Sequence, residues 1–190
     1  MNKACVIGLY GQVGTGKSTV SQFFVSKKWT YINQDLLGHQ VIDEYRDEIV
    51  QLFGDQIIEH NQIDRNKLGA LVFNDPQKLS ELVNFSYPII IHKTKELLAQ
   101  YNSHTIIEGA FFYKVRHSIP YTHLIYIETT QDILYQRLIN RGHTISWIDR
   151  VLSSQQDIQD HKILADFVLN NDGEKDALHS QIQNILSQLF

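Results

Sequence analysis

Sulfur is nearly absent from this sequence, and so are long apolar runs. One cysteine, Cys5, in 190 residues cannot close an internal disulfide, which fits a reducing compartment. Cys5 lies within an apolar run and reads as a small buried hydrophobe rather than a nucleophile. No apolar stretch is long enough to span a bilayer, and no basic segment leads into an apolar core as in a secretory signal. A cytoplasmic location without a membrane partner is therefore the expectation. Positive charge is also scarce: 17 Lys and Arg against 21 Asp and Glu leave a formal net charge of −4, which argues against a general nucleic-acid binder. There is no internal repeat and no low-complexity linker. What is present, 43% hydrophobic and 20% charged residues, is the composition of one globular domain with an ordinary buried core.

Glycine is concentrated where it matters. Gly11-Gln12-Val13-Gly14-Thr15-Gly16-Lys17-Ser18 fits G-x-x-x-x-G-K-[ST], the phosphate-binding loop, with Thr19 just beyond it. Glycines let successive backbone N–H groups curl around one anion-sized hollow. Lys17 reaches β- and γ-phosphates as a point charge, and Ser18 offers a hydroxyl to Mg²⁺. The context is right: Ala4 to Tyr10 reads as a buried strand, and Val20, Phe23 and Phe24 share one face of the helix that follows.

Further along, Trp29 to Asn33 reads as a second strand with Asp35 just past its carboxyl end, the edge where open parallel sheets bind ligands. Asp35 either orients or deprotonates an attacking hydroxyl or caps the next helix. Residues 36–53 pattern as one helix. Asp64 reads as the N-cap of another, and Asn74-Asp75-Pro76 as a break that starts a third. Tyr87-Pro88 reads as a boundary, with helix from Ile89 to Tyr101. Residues 36–101 thus form a helical block longer than a crossover needs, predicted as a substrate-binding subdomain. His104 to Gly109 is the third strand, ending in Glu108. That carboxylate either holds Mg²⁺ directly or through water, or simply accepts from nearby backbone. Thr122 to Glu128 is the fourth strand. Arg137 and Arg141 are spaced i, i+4 on the next helix, suited to a transferring phosphoryl group or else to surface acids. Residues 142–162 read as a mobile helical lid. A fifth short strand (165–169) and a closing helix (174–190) complete a doubly wound parallel α/β sheet, with a core of residues 1–35, 102–141 and 163–190.

Several of these segments together resemble the dephospho-CoA kinase family, P-loop kinases that complete coenzyme A. The resemblance rests on Gly8 to Val20, on Asn33-Gln34-Asp35 where the family has Asp-Ala-Asp, and on Phe53-Gly54-Asp55 with Ile63-Asp64-Arg65, Leu68 and Val72-Phe73. It continues through Arg137 and Arg141, Gln155, Ala165-Asp166 and Asn171-Asp172-Gly173. The departures fall elsewhere: Tyr87-Pro88 stands where the family has His-Pro, Ala110 to Lys114 replaces Pro-Leu-Leu-Phe-Glu, and Glu108 stands for Asp. In the lid, Ile158 and His161 occupy positions that are basic in the family, leaving Lys162 as the neighbouring cation.

The resemblance implies transfer of the ATP γ-phosphate to the 3′-hydroxyl of dephospho-CoA, with ATP and Mg²⁺ as cofactors. By the same resemblance Asp35 is the catalytic carboxylate, Arg65 and Tyr87 face the acceptor, and Asn171 and Gly173 lie near the adenine of ATP. Small molecules are the expected partners of a monomer or weak homo-oligomer. The altered acceptor positions also admit a nucleoside or nucleotide kinase, or a nucleotide-binding member without transfer activity.

Overall fold

The computed structural model describes residues 4–190. It opens on β1 (Val6–Tyr10), which is apolar because it is central: Ile7 and Leu9 enter one core layer and Tyr10 the opposite one. Gly8 faces Phe112 so closely that a Cβ there would stand 2.1 Å from a ring carbon. Then come α1 (Lys17–Ser26), β2 (Thr30–Asn33), α2 (Gln34–Glu44) and α3 (Arg46–Phe53). A hairpin of β3 (Ile58–Glu59) and β4 (Gln62–Ile63) leads to α4 (Arg65–Phe73) and α5 (Pro76–Gln100). The second half holds β5 (Thr105–Glu108), α6 (Phe112–Val115), β6 (His123–Glu128), α7 (Gln131–Asn140), α8 (Ile145–Ser154), α9 (Asp157–Asp160), β7 (Phe167–Asn170) and α10 (Lys175–Leu189).

The five long strands form one parallel sheet in the order β2-β5-β1-β6-β7. The chain runs outward to β2, returns to β5 and then crosses β1 to reach β6, so the strand order reverses beside β1. That crevice, at the carboxyl ends of the strands, is where open α/β sheets bind ligands. α1 and α10 cover one face with Val20, Phe24, Leu178 and Ile182. On the other face Phe112, Tyr113 and the lid residue Ile158 pack with Tyr10 and Tyr126. The helices between β2 and β5 carry a separate core of Ile49, Phe53, Ile57, Ile63, Leu68 and Val72.

Two local expectations are corrected. The helix expected over residues 36–53 begins at Gln34 and is two helices, broken at Tyr45 (φ −105°, ψ 39°), whose ring meets Phe85 edge-on. The boundary at Tyr87-Pro88 does not exist: α5 runs through Pro88 without interruption. A proline inside a helix removes one hydrogen bond and costs about 3 kcal/mol. Packing outweighs that cost because α5 is anchored at both ends. Leu79, Leu82 and Phe85 join the insertion core, while Tyr87, Ile90 and Ile91 join the sheet core. The β3–β4 hairpin has no strong sequence signal. Its turn is His60-Asn61, with both residues at positive φ (47° and 63°), and the pairing of Glu59 with Gln62 leaves a two-residue loop.

Candidate active site

The phosphate loop follows directly from its residue types. Gly16 takes φ 100°, and a Cβ on it would lie 2.2 Å from the Asn171 amide nitrogen. Only glycine admits that approach, which lets Asn171 Nδ2 donate to the Thr15 carbonyl at 2.7 Å. Thr15 Oγ1 donates to the Gln12 carbonyl at 2.8 Å and pins the turn. α1 starts at Lys17 with no side chain capping its first turn. Its free N–H groups and positive end are left for an anion. Lys17 is buried, and its ammonium donates to the Gly11 and Gln12 carbonyls at 3.0 and 3.2 Å. Burial pushes its pKa down from the usual lysine value; the Asp35 and Glu108 carboxylates pull it up, and the Arg141 charge adds to the lowering.

Glu108, at the tip of β5, is buried. Ser18 Oγ donates to its Oε1 at 3.1 Å and the Tyr31 hydroxyl to its Oε2 at 2.7 Å. Asn33 Nδ2 in turn donates to the Tyr31 hydroxyl at 2.7 Å, while Asn33 Oδ1 caps α2 by accepting from the Leu36 N–H at 3.0 Å. Tyr31 supplies a hydrogen bond that the sequence reading misses. It pairs in register with Ile106, so it lies diagonally across from Glu108 on the same sheet face. Only the strand order reveals that neighbour. Burial and the Glu108 carboxylate both push the Tyr31 phenol up, so it remains a donor.

Asp35 does not cap α2, since Asn33 does. It sits exposed in the first turn, and its Oδ1 accepts from the Ala110 N–H at 3.4 Å. Lys17 and Asp35 line one cavity of about 740 Å³. Its far wall is Arg65 and Phe73 of α4, and its roof is Trp147, Arg150 and Gln155 of the lid. Arg65 pairs with Asp43 at 2.5 Å. Tyr87 lines a smaller cleft with Asp35 and Phe111. Burial and the Asp35 and Asp157 charges push its phenol up.

The two arginines separate. Arg137 Nη2 donates to the Asn171 carbonyl at 2.8 Å, and its Nη1 is buried without a partner among the described residues. Arg141, the residue that ends α7, is exposed, and its charge acts on Lys17. Asn171 therefore joins Thr15 and Arg137, whereas Gly173 is exposed on the following turn.

The lid is tied to the phosphate loop. Gln155 Oε1 accepts from the Val13 N–H at 2.9 Å, and Gln159 Nε2 donates to Gln12 Oε1 at 3.2 Å. The residues that depart from the expected pattern meet one another. Tyr113 and Lys114 both donate to Asp157 at 2.8 Å, and the Tyr113 ring lies against His161. Ile158 fills the sheet core where a cation would be unpartnered. Lys162 pairs with Glu128 at 2.8 Å. The sequence reading also passed over Trp147 and Arg150. With Val151 they line the cavity from one side of α8, a placement that no local sequence pattern marks.

The donors at Ser18 and Glu108 are hard oxygens, the type Mg²⁺ takes together with phosphates and water. Among the described residues no cluster of three or more His, Cys, Asp or Glu side chains is poised for a metal. Nor is any helix among them long and apolar enough to cross a membrane.

Comparison with known proteins identifies a family. The family model for dephospho-CoA kinase matches residues 5–177. The dephospho-CoA kinase of Borreliella burgdorferi is 36% identical over 158 residues, covering 80% of this chain and 77% of that one. That of Helicobacter pylori is 28% identical over 191 residues, covering 97% of each. Among solved structures, a Thermus thermophilus protein superposes with a TM-score of 0.83 at 21% identity over 100% of both chains. The dephospho-CoA kinase of Campylobacter jejuni gives 0.62 at 23% over 96% of both, and these two likenesses speak for the fold. With the phosphate loop, the strand-tip carboxylate and the roofed cavity within or beside the matched span, this chain belongs to the dephospho-CoA kinase family.

Proposed function

We propose that the protein transfers the γ-phosphoryl group of ATP to the ribose 3′-hydroxyl of dephospho-CoA, giving ADP and coenzyme A. The observation that carries this reading is the single cavity walled by Lys17 and Asp35 at one end and by the insertion and lid at the other. Its volume, about 740 Å³, falls in the range of roughly 300–1,000 Å³ typical of pockets for ligands of drug size.

The phosphate-loop amides and Lys17 hold the ATP phosphates, the ammonium exchanging the Gly11 and Gln12 carbonyls for phosphate oxygens. The acceptor oxygen bonds to the γ-phosphorus as the bond to the β–γ bridging oxygen breaks. The electron pair departs on ADP, and the hydroxyl proton passes to Asp35. Arg141 offsets charge developing on the transferred group. Arg137 offers its unpartnered Nη1 to the nucleotide beside Asn171 and Gly173. Ser18 and Glu108 hold Mg²⁺, which neutralises phosphate charge when bound. Arg65 and Tyr87 contact the acceptor. The cytoplasm is the place of action, and a monomer or weak homo-oligomer the working form.

ADP release measured with dephospho-CoA, nucleosides and nucleotides as acceptors tests this. Dephospho-CoA should be turned over fastest, with a 3′-phosphorylated product. Faster phosphorylation of a nucleoside or nucleotide would transfer the assignment to that acceptor. Tight ATP binding without acceptor-dependent ADP would make the chain a nucleotide-binding protein without transfer activity.

A further inference from the structure

The lid places an indole in the acceptor cavity that none of the roles above uses. Trp147 of α8 lines that cavity. Its ring is stacked on His143, with centroids 3.9 Å and planes 10° apart. It also packs against Leu134, Leu138 and Ile148. Backed by an imidazole and anchored by that cluster, the indole has little freedom left to lose when another ring lies on it. The other aromatic walls are held differently. Phe111 has the Lys114 ammonium 4.9 Å from its ring centroid, and Phe73 is partly exposed on α4.

We propose that Trp147 is a specificity-determining residue, the stacking surface for the heteroaromatic base of the acceptor. The inference rests on the reading that the acceptor is dephospho-CoA, and its chemistry then restricts where the base can go. The reacting hydroxyl and the base are carried by the same ribose. With the hydroxyl at Asp35, the base lies within a few ångströms, inside the cavity that Asp35 and Trp147 both line. Aromatic stacking on a base is tolerant of ring identity but demands a flat, presented face, and the His143–Trp147 pair supplies one. An acceptor without a base loses this contact.

Tryptophan fluorescence can report the contact directly, because the chain has 2 tryptophans and the other is remote. Trp29 is buried against Phe24 and His104 just before β2, away from the strand tips where the cavity lies. Titrating the wild type with dephospho-CoA, at constant ADP, should quench the emission. Pantetheine phosphate, which lacks the ring, should not, and Trp147→Phe should lose the quench while raising KM for dephospho-CoA less than Trp147→Ala does. Trp147→Ala should raise KM for dephospho-CoA by roughly 5- to 150-fold, from the alanine-scan range for stacking, with KM for ATP unchanged. An unaltered acceptor KM in Trp147→Ala, or equal quenching in wild type and Trp147→Phe, overturns the inference. The quench is read without turnover. Dephospho-CoA that quenches Trp147 but is not phosphorylated therefore upholds the stacking surface while removing the assigned reaction. Turnover of dephospho-CoA without the quench does the reverse.

Discussion

Lys17 and Arg65 face the same cavity from opposite ends and are held in different ways. Lys17 is buried and donates to two carbonyls of its own loop. Arg65 is about half exposed and pairs with an equally exposed Asp43. The phosphate end is a closed network from Asn33 through Tyr31 and Glu108 to Ser18. The proposed acceptor end is an open wall of helix side chains between an insertion with its own core and the lid that follows Gly142. The closed network thus lies at the phosphate loop, and the open wall lies at the insertion and the lid. The departures from the expected pattern at Tyr87, at 110–114 and in the lid lie on the open side, whereas those at Asn33 and Glu108 lie in the closed network.

Asp35 belongs to both ends, lining the cavity with Lys17 and with Arg65. Asp35→Asn should lower kcat by about 10²- to 10⁴-fold, the usual worth of a general base, with ATP binding by calorimetry retained. A loss confined to KM would assign Asp35 to the acceptor end alone. Next in size is Tyr31→Phe, which leaves one oxygen of a buried carboxylate without a donor. Hydrogen bonds to charged groups are worth roughly 1.5–3 kcal/mol, so chemical denaturation should show a loss of about that size. The Mg²⁺ concentration for half-maximal ADP formation should rise as well. Unchanged Mg²⁺ dependence would reduce Tyr31 to a packing role.

Arg65→Ala tests the open end. It should raise KM for dephospho-CoA several-fold with kcat and melting temperature nearly constant, because an exposed ion pair contributes little to stability. A drop in kcat equal to the rise in KM would mean that Arg65 acts in the transition state. Smallest is Asp157→Asn at the lid–core contact. Burial raises the Asp157 pKa, but hydrogen bonds from Lys114 and Tyr113 outweigh it and hold the carboxyl below the usual range. A depressed folded pKa gives stability that is present above the unfolded value, about 3.9, and lost as pH falls through the folded one. The variant should therefore melt slightly lower at pH 7, by less than about 1 kcal/mol, and the gap should close below about pH 4. A gap that persists in acid would mean that packing, not charge, ties the lid.

The same division explains what could be read in advance. Strand β1, the loop and α1 were legible because their signals are contiguous: an apolar run, glycines at fixed offsets, one lysine and an amphipathic face. Asp64 and Asp75 announced α4 and α5, and each does accept backbone N–H bonds at its helix start. Pro88 misled because its cost is local while the packing that overrides it comes from two separate cores. Tyr31 and Trp147 carried no signal of their own, since an aromatic in a strand or lid helix has an ordinary packing role until its neighbours are known.

The sequence by itself determined that this chain binds phosphate and folds as a doubly wound α/β domain, because eight consecutive residues and the spacing of apolar runs suffice for both. Tertiary structure alone decided that Glu108 is held by Tyr31, that Gln155 of the lid reads the Val13 amide, and that Arg137 turns to Asn171 while Arg141 acts on Lys17. Those pairings join residues 34 to 142 positions apart, and no local preference encodes a neighbour that only the order of strands and the closure of helices brings near.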